Sequence, residues 1–383
     1  MKAKSFSLPP LSPLAGATFS VFFRVLRLRR VSPAKYTAII FTFLLIGIGA
    51  LFRWFDRLFF RLRKARFRLQ EPPVFILGHW RSGTTLLHNL LTRDPRSGFV
   101  TTYHAVFPNN LKSAWLFKTF MRIFMPRYRP GDRLELAVNL PQEDEYALSN
   151  LTHMSYYHFF YFPAIYQEFY EKYVRFGSIT TEEKLRWESI YKHMVFRAAF
   201  ESGGGRMVLK NPVNTGRIPV LLEIFPEARF IFLIRNPVEV YLSSVKFFTQ
   251  LFPTLNLEDF TEGEIREMVL NTYVNLLEDY LGHRGLVPEN KLLELRYEQL
   301  MEQPLLIAGL IYRAFSMPGI EEMEPVFAAY LNSKRDHVTD VYRIGRAELN
   351  EVLKRLDFAM KMWDYAIPDN LEIVDEPDES GRS

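Results

Sequence analysis

The chain has 383 residues, 48% of them hydrophobic and 24% charged, which is enough apolar content for a large core and too much for a mainly disordered protein. It contains no cysteine, which excludes a disulfide framework and a thiolate metal site and favours a reducing compartment. The net charge of +5 is unevenly placed: residues 1–70 hold 14 basic side chains and 1 acidic one, so the rest of the chain is net acidic. Basicity therefore belongs to an N-terminal arm facing anionic lipid, which argues against a general nucleic-acid binder.

Within that arm, Tyr36 to Phe52 form an uncharged run of 17 residues, at the short limit for crossing a bilayer as a helix. Arg24, Arg27, Arg29, Arg30 and Lys35 precede it and Arg53, Arg57 and Arg61 follow, so the charge asymmetry that orients a span is missing. The stretch FRWFDRLFFRLRKARFRL interleaves aromatic and basic residues, the pattern of a helix lying in an anionic interface. The expectation is a membrane-associated helical region over 1–70 on the cytoplasmic side, either monotopic or a single span through 36–52. A hairpin of core helices is the competing reading. A cleaved signal peptide does not fit an apolar run that begins only after proline and several arginines.

From Glu71 onward, apolar runs alternate with helical periodicity, which predicts an α/β domain over 71–367 built on a mainly parallel sheet. Strands are expected at Val74–Leu77, Met207–Leu209, Arg229–Ile234 and Lys291–Leu295. Residues 104–200 are rich in Phe, Tyr, Trp and His without a strand pattern; they read as a helical aromatic insertion, serving either as core or as the wall of an apolar acceptor cavity. Residues 368–383, acidic and broken by proline, read as a solvated tail.

Directly after the first strand, GHWRSGTTLLHNLL places Gly78 and Gly83 at the G-x4-G spacing of a phosphate-cradling loop that opens a helix. Glycines let the backbone approach an anion, and the free N–H groups of the helix start favour negative charge. An ATP- or GTP-hydrolysing loop has Lys and then Ser/Thr after the second glycine; here Thr84 and Thr85 follow, and the cation is Arg81, inside the loop.

That wording resembles the 5'-phosphosulfate loop of sulfotransferases that use 3'-phosphoadenosine 5'-phosphosulfate (PAPS), whose core reads Lys or Arg followed by S-G-T-T. The resemblance implies a P-loop-like three-layer fold in which Arg81 contacts the phosphosulfate. His79, Ser82, Gly83, Thr84 and Thr85 are expected to complete the loop. A second likeness, to the family's R-x-P-x5-S motif, lies in RFIFLIRNP and the following helix, where Arg235 and Ser243 are implied to hold the 3'-phosphate. An arginine fork with a hydroxyl suits a phosphate monoester. In VLKNPVNTGRI, Lys210 stands at a strand end, where open α/β sheets place their ligands; the segment is similar to an L-K-x-P stretch of bacterial sulfotransferases, which implies that Lys210 stabilises the transferring group.

Sulfuryl transfer to a hydroxyl needs a base, and no metal is required. Family branches use either His or Glu, so the candidates are the cluster PQEDEYAL (Glu143, Asp144, Glu145), with Glu143 first, and then His104, His153 or His158. Three carboxylates at a helix start can also act as caps. The soluble branch's C-terminal nucleotide-closing motif survives only as Arg343 and Gly345 in VYRIGRAEL. The expected function is sulfuryl transfer from PAPS to a hydroxyl on a small hydrophobic acceptor, a sterol or other lipid alcohol before a saccharide or small polar alcohol. An ATP-dependent kinase and a non-catalytic membrane adaptor are the readings of another class.

Overall fold

The strands form where short runs of branched and aromatic residues stand between prolines, glycines and charged residues. In the computed structural model, which describes residues 12–63, 69–128, 135–203, 205–333 and 342–374, they build a five-stranded sheet. Strands β1 (Val74–Leu77), β2 (Ser97–Gly98), β3 (Arg206–Lys210), β4 (Arg229–Ile234) and β5 (Leu292–Arg296) lie in the order β2-β3-β1-β4-β5, each pair parallel. The two-residue β2 escaped the sequence reading because Ser97 and Gly98 carry no apolar pattern.

Strand periodicity divides the core into two layers. Phe75, Leu77, Leu209, Phe230 and Phe232 face one cluster, which also takes in helices Thr181–Ser202, Pro237–Leu255 and Glu262–His283. Val74, Ile76, Val208, Ile231 and Leu233 face the other, with helices Thr84–Leu91 and Pro304–Ala314. The result is the expected three-layer α/β sandwich with apolar strands buried on both faces.

The N-terminal region is less separate than its composition predicts. Helix Phe19–Leu26 and the helix Tyr36–Arg63 lie against the body, and Leu14, Val21, Phe22, Val25 and Ile46 belong to its main core. Arg53 is buried on the inward face, donating from Nη1 to the Ala17 carbonyl at 3.0 Å and from Nη2 to that of Ile46 at 2.8 Å. Asp56 accepts from the Leu111 amide at 2.6 Å and the Lys112 amide at 3.2 Å. Residues 64–68, the end of the predicted interfacial stretch, lie outside the described residues.

The insertion is helical, as expected, with helices Ala114–Phe124, Asp144–Leu151, Tyr166–Tyr173 and Thr181–Ser202. Its aromatics Tyr156, Tyr157, Phe159 and Phe160 are buried in the main core. At the C-terminus part of the acidic stretch is a strand: β7 (Leu371–Val374), largely exposed, pairs in parallel with β6 (Tyr342–Gly345), with Leu371 and Ile373 opposite Tyr342 and Ile344 in register. Residues 375–383 lie outside the described residues.

Candidate active site

Because all five strands run parallel, their C-terminal tips share one edge, and the connections diverge to either side between β1 and β4, where α/β sheets open a crevice. The loop after β1 is held by the Gly78 amide, which donates to Thr215 Oγ1 at 2.8 Å. Gly78 has φ +133° and Gly83 φ +93°; a Cβ on the first would stand 2.7 Å from Ser82 Oγ, and one on the second would collide with the Tyr297 ring. Both positions therefore demand glycine. Arg81 has φ +69°, a left-handed conformation costly for a long side chain and characteristic of sites where the fold imposes it for function.

Gly83 caps helix Thr84–Leu91 without a side chain, so the first-turn amides of Thr84 and Thr85 have no partner within the helix and can meet an anion. Ser82 turns its hydroxyl inward to the His79 carbonyl at 2.7 Å, so its side chain braces the loop. His79 is an anchor as well: Nδ1 lies 2.9 Å from the Trp80 carbonyl and 3.3 Å from Ser244 Oγ. Burial pushes its pKa down to about 3, leaving a neutral ring whose Nε2 is buried with no hydrogen-bond partner.

The loop after β1 and the tip of β4 meet. Arg81 Nε donates to Ser243 Oγ at 2.9 Å, and Arg235 Nη1 donates to the Arg81 carbonyl at 2.8 Å. Arg235 is steadied by Glu239 at 2.7 Å and lies over the Tyr297 ring at 4.2 Å. Tyr297, the first residue beyond β5, thus packs against both Gly83 and Arg235; sequence reasoning missed it, although an aromatic at a strand tip on the ligand edge was a usable signal. Arg343 is not brought to this pocket. On the two-stranded sheet its neighbours Tyr342 and Ile344 face inward, and strand alternation turns Arg343 outward to pair with Glu372 at 2.7 Å.

On the other side of β1, Lys210 at the tip of β3 reaches the insertion. Its Nζ donates to Glu143 Oε1 at 2.5 Å, and the Tyr157 hydroxyl donates to Glu143 Oε2 at 2.5 Å. Glu143 is the N-cap residue of helix Asp144–Leu151 but its side chain makes no capping bond, and all three carboxylates of the cluster are buried. Capping is therefore not the role of Glu143, and the polar residues at and just after the end of β3 supply partners for all three. Asp144 accepts from the Tyr191 hydroxyl, and burial pushes its pKa up to about 7. Glu145 is also buried, which raises its pKa, but the Arg217 guanidinium at 2.5 Å, with Ser155 and Asn211, outweighs this and holds it below the ordinary range.

The histidine alternatives are placed elsewhere. His104 lines a small apolar cavity with Val100, Leu111, Ala147 and Met194, and burial with nearby Lys118 lowers its pKa to about 4. His158 Nε2 lies 3.1 Å from the Thr152 carbonyl, and His153 bonds Arg24 at the N-terminal helix. Sequence reasoning missed Tyr157, which the aromatic texture of its neighbours concealed, and the Asn211, Asn214 and Arg217 network, whose polar letters directly after Lys210 were the available signal.

A family model described as "Sulfotransferase family" matches residues 72–322. The omega-hydroxy-beta-dihydromenaquinone-9 sulfotransferase Stf3 of Mycobacterium bovis is 31% identical over 335 residues, 86% of this chain and 85% of that protein. Among solved structures, sulfotransferase STF9 from Mycobacterium avium superposes with a TM-score of 0.69 at 14% identity, covering 92% of this chain and 98% of that one. STF1 from Mycobacterium tuberculosis gives 0.63 at 18% identity, covering 88% and 89%. The structural likenesses establish the shared fold; the family match, running from the approach to β1 into helix Ile320–Asn332, and the relative similar along most of both chains establish that this chain belongs to the sulfotransferase family and is an enzyme of it.

Proposed function

We propose that the enzyme transfers a sulfuryl group from PAPS to a hydroxyl of a small hydrophobic acceptor, a lipid alcohol, at the cytoplasmic surface of a membrane, releasing adenosine 3',5'-bisphosphate. The observation that carries this reading is the junction of the two anion-binding motifs: Arg81 bonded to Ser243 and Arg235 bonded to the Arg81 carbonyl. That junction suits one nucleotide with phosphate at both ends. Arg81 and the amides of Thr84 and Thr85 would take the phosphosulfate, and Arg235 with Ser243 the 3'-phosphate. The buried, unpartnered His79 Nε2 and the side-chain-free Gly83 backbone fit a polar ligand over the loop.

In the transfer, the acceptor oxygen forms a bond to sulfur as the bond from sulfur to the phosphate oxygen breaks, and the hydroxyl proton passes to the Glu143 carboxylate. Lys210 and Arg81 offset the charge on the sulfuryl and leaving oxygens, in a site walled by buried aromatics where such charge is poorly screened. The lipid acceptor draws support from the relative whose name specifies a hydroxylated menaquinone and from the apolar outer face of helix Tyr36–Arg63. Calorimetric titration tests the donor: adenosine 3',5'-bisphosphate is expected to bind more tightly than ATP, and equal or reversed affinity rejects it. Transfer of labelled sulfate from PAPS into extracted lipid, compared with sterols, fatty alcohols and saccharides, tests the acceptor; labelling of saccharides alone overturns the lipid assignment.

A further inference from the structure

Helix Tyr36–Arg63 is apolar on both sides, but its two sides have different fates. Ile46, Arg53, Asp56 and Phe60 turn into the body. Ile40, Leu44, Ile48, Leu51, Trp54 and Leu58 recur every three or four residues and are all exposed, which makes one continuous stripe along the helix. A membrane-crossing helix needs lipid or protein of matching polarity on every side at mid-depth. Here the inward side carries an arginine and an aspartate in its C-terminal half, just past the uncharged run, both bonded to the protein's own backbone. The helix cannot leave the body to span without abandoning those bonds.

A second helix extends the stripe. Ala114–Phe124 packs Phe117 against Phe52 of the long helix, ring centroids 5.9 Å apart, and turns Trp115 (72% exposed) and Ile123 (69% exposed) outward. The surroundings are mainly cationic, with Glu258 paired to Arg29 and Glu201 to Lys112. Among the described residues 12–63 and 99–128 the only carboxylate is Asp56, which is buried, whereas Arg27, Arg30, Arg57, Arg61, Arg122 and Arg127 are exposed. An apolar face rimmed mainly by cations is complementary to anionic headgroups above acyl chains.

We propose that helices Tyr36–Arg63 and Ala114–Phe124 together form a monotopic docking face that lies in the plane of an anionic bilayer, with the body held outside it. This deepens the membrane half of the reading above and is independent of which group is transferred. It also sets the Glu143 side of the site close to the lipid. Phe117 packs on Phe107 with ring centroids 4.8 Å apart, and the neighbouring Tyr103 amide pairs with Val138 and the Thr102 amide with Leu140, just short of Glu143.

The native tryptophans are the probe. Trp80, Trp187 and Trp363 are buried, while Trp54 and Trp115 are exposed on this face. The full chain is to be floated with phosphatidylglycerol-containing and with pure phosphatidylcholine vesicles, and its fluorescence read against lipids brominated near the headgroup or near the bilayer centre. The expected result is flotation with the anionic vesicles and quenching mainly by the shallow bromines. Leu51→Glu with Trp115→Glu should lower partitioning by about tenfold or more at an unchanged thermal unfolding midpoint. Failure to float, dominant quenching from the bilayer centre, or a dimer in solution that those two substitutions dissolve would each overturn the proposal, the last assigning the face to a second copy of the chain. None of these outcomes depends on sulfuryl transfer.

Discussion

Glu143 is gripped from both oxygens, by the Lys210 ammonium and the Tyr157 hydroxyl, so its carboxylate is fixed in position before any acceptor arrives. The proposed roles separate by substitution. Lys210→Ala and Arg81→Ala each remove a cation from a water-poor site and are expected to lower kcat by about 10²- to 10³-fold; steady-state rates within a few-fold of wild type would remove them from the chemistry. Tyr157→Phe deletes one hydrogen bond to a charged group, a loss of about 1.5–3 kcal/mol, and should lower kcat about tenfold or more while the affinity for adenosine 3',5'-bisphosphate stays unchanged. A fall in nucleotide affinity instead would show that Tyr157 supports the loop through Trp80, whose ring stands 6.0 Å away.

At the scale of elements, the contacts that set the site join segments far apart in sequence. Arg217, fully buried behind β3, pairs with Glu145 of the insertion, and that pair sits two residues along from Glu143 and seven from Lys210. Arg217→Met would leave Glu145 charged and uncompensated in the core, a loss of about 3–5 kcal/mol that urea denaturation would reveal as a lowered midpoint. Asp56→Ala would strand the amides of Leu111 and Lys112 and cost about 1–3 kcal/mol, visible in the same measurement; an unchanged midpoint would mean that helix Tyr36–Arg63 is not fastened there.

These examples mark what could be read from the letters. The placement of the loop, Arg235 and Lys210 at strand ends was legible because each adjoins an apolar run, and the positions of β1, β3, β4 and β5 are carried by the same runs; the sheet order was not. Tyr157 and Arg217 were not, since their partners lie 14 and 72 residues away and nothing local records a long-range hydrogen bond. Arg343 stands in the remnant of a motif, and strand alternation turns it outward to Glu372. The basic, apolar N-terminal region suggested a boundary at residue 70 because composition does not show which side of a helix is buried against the body.

Taken whole, the molecule keeps four histidines and two aspartates dry, and this shapes how its stability responds to acid. His79, His88, His104 and His158 are buried, and burial lowers their pKa values to between about 3 and 4. Between those values and the ordinary histidine value of about 6.5, the unfolded chain binds four protons that the folded one refuses, so acidification destabilises the fold. Asp56 and Asp144 oppose this, since burial raises their pKa values to about 6 and about 7, and the folded state holds two protons that the unfolded state has released. Near pH 5 the balance is about two protons in favour of the unfolded chain, a slope of about 3 kcal/mol lost per pH unit of acidification. Urea midpoints measured from pH 7 down to pH 4.5 should therefore fall progressively. Asp144→Asn keeps the site's shape, removes one of the opposing protons and should steepen the fall; a flat profile in both proteins would mean that the four rings find water or a proton partner in the folded state.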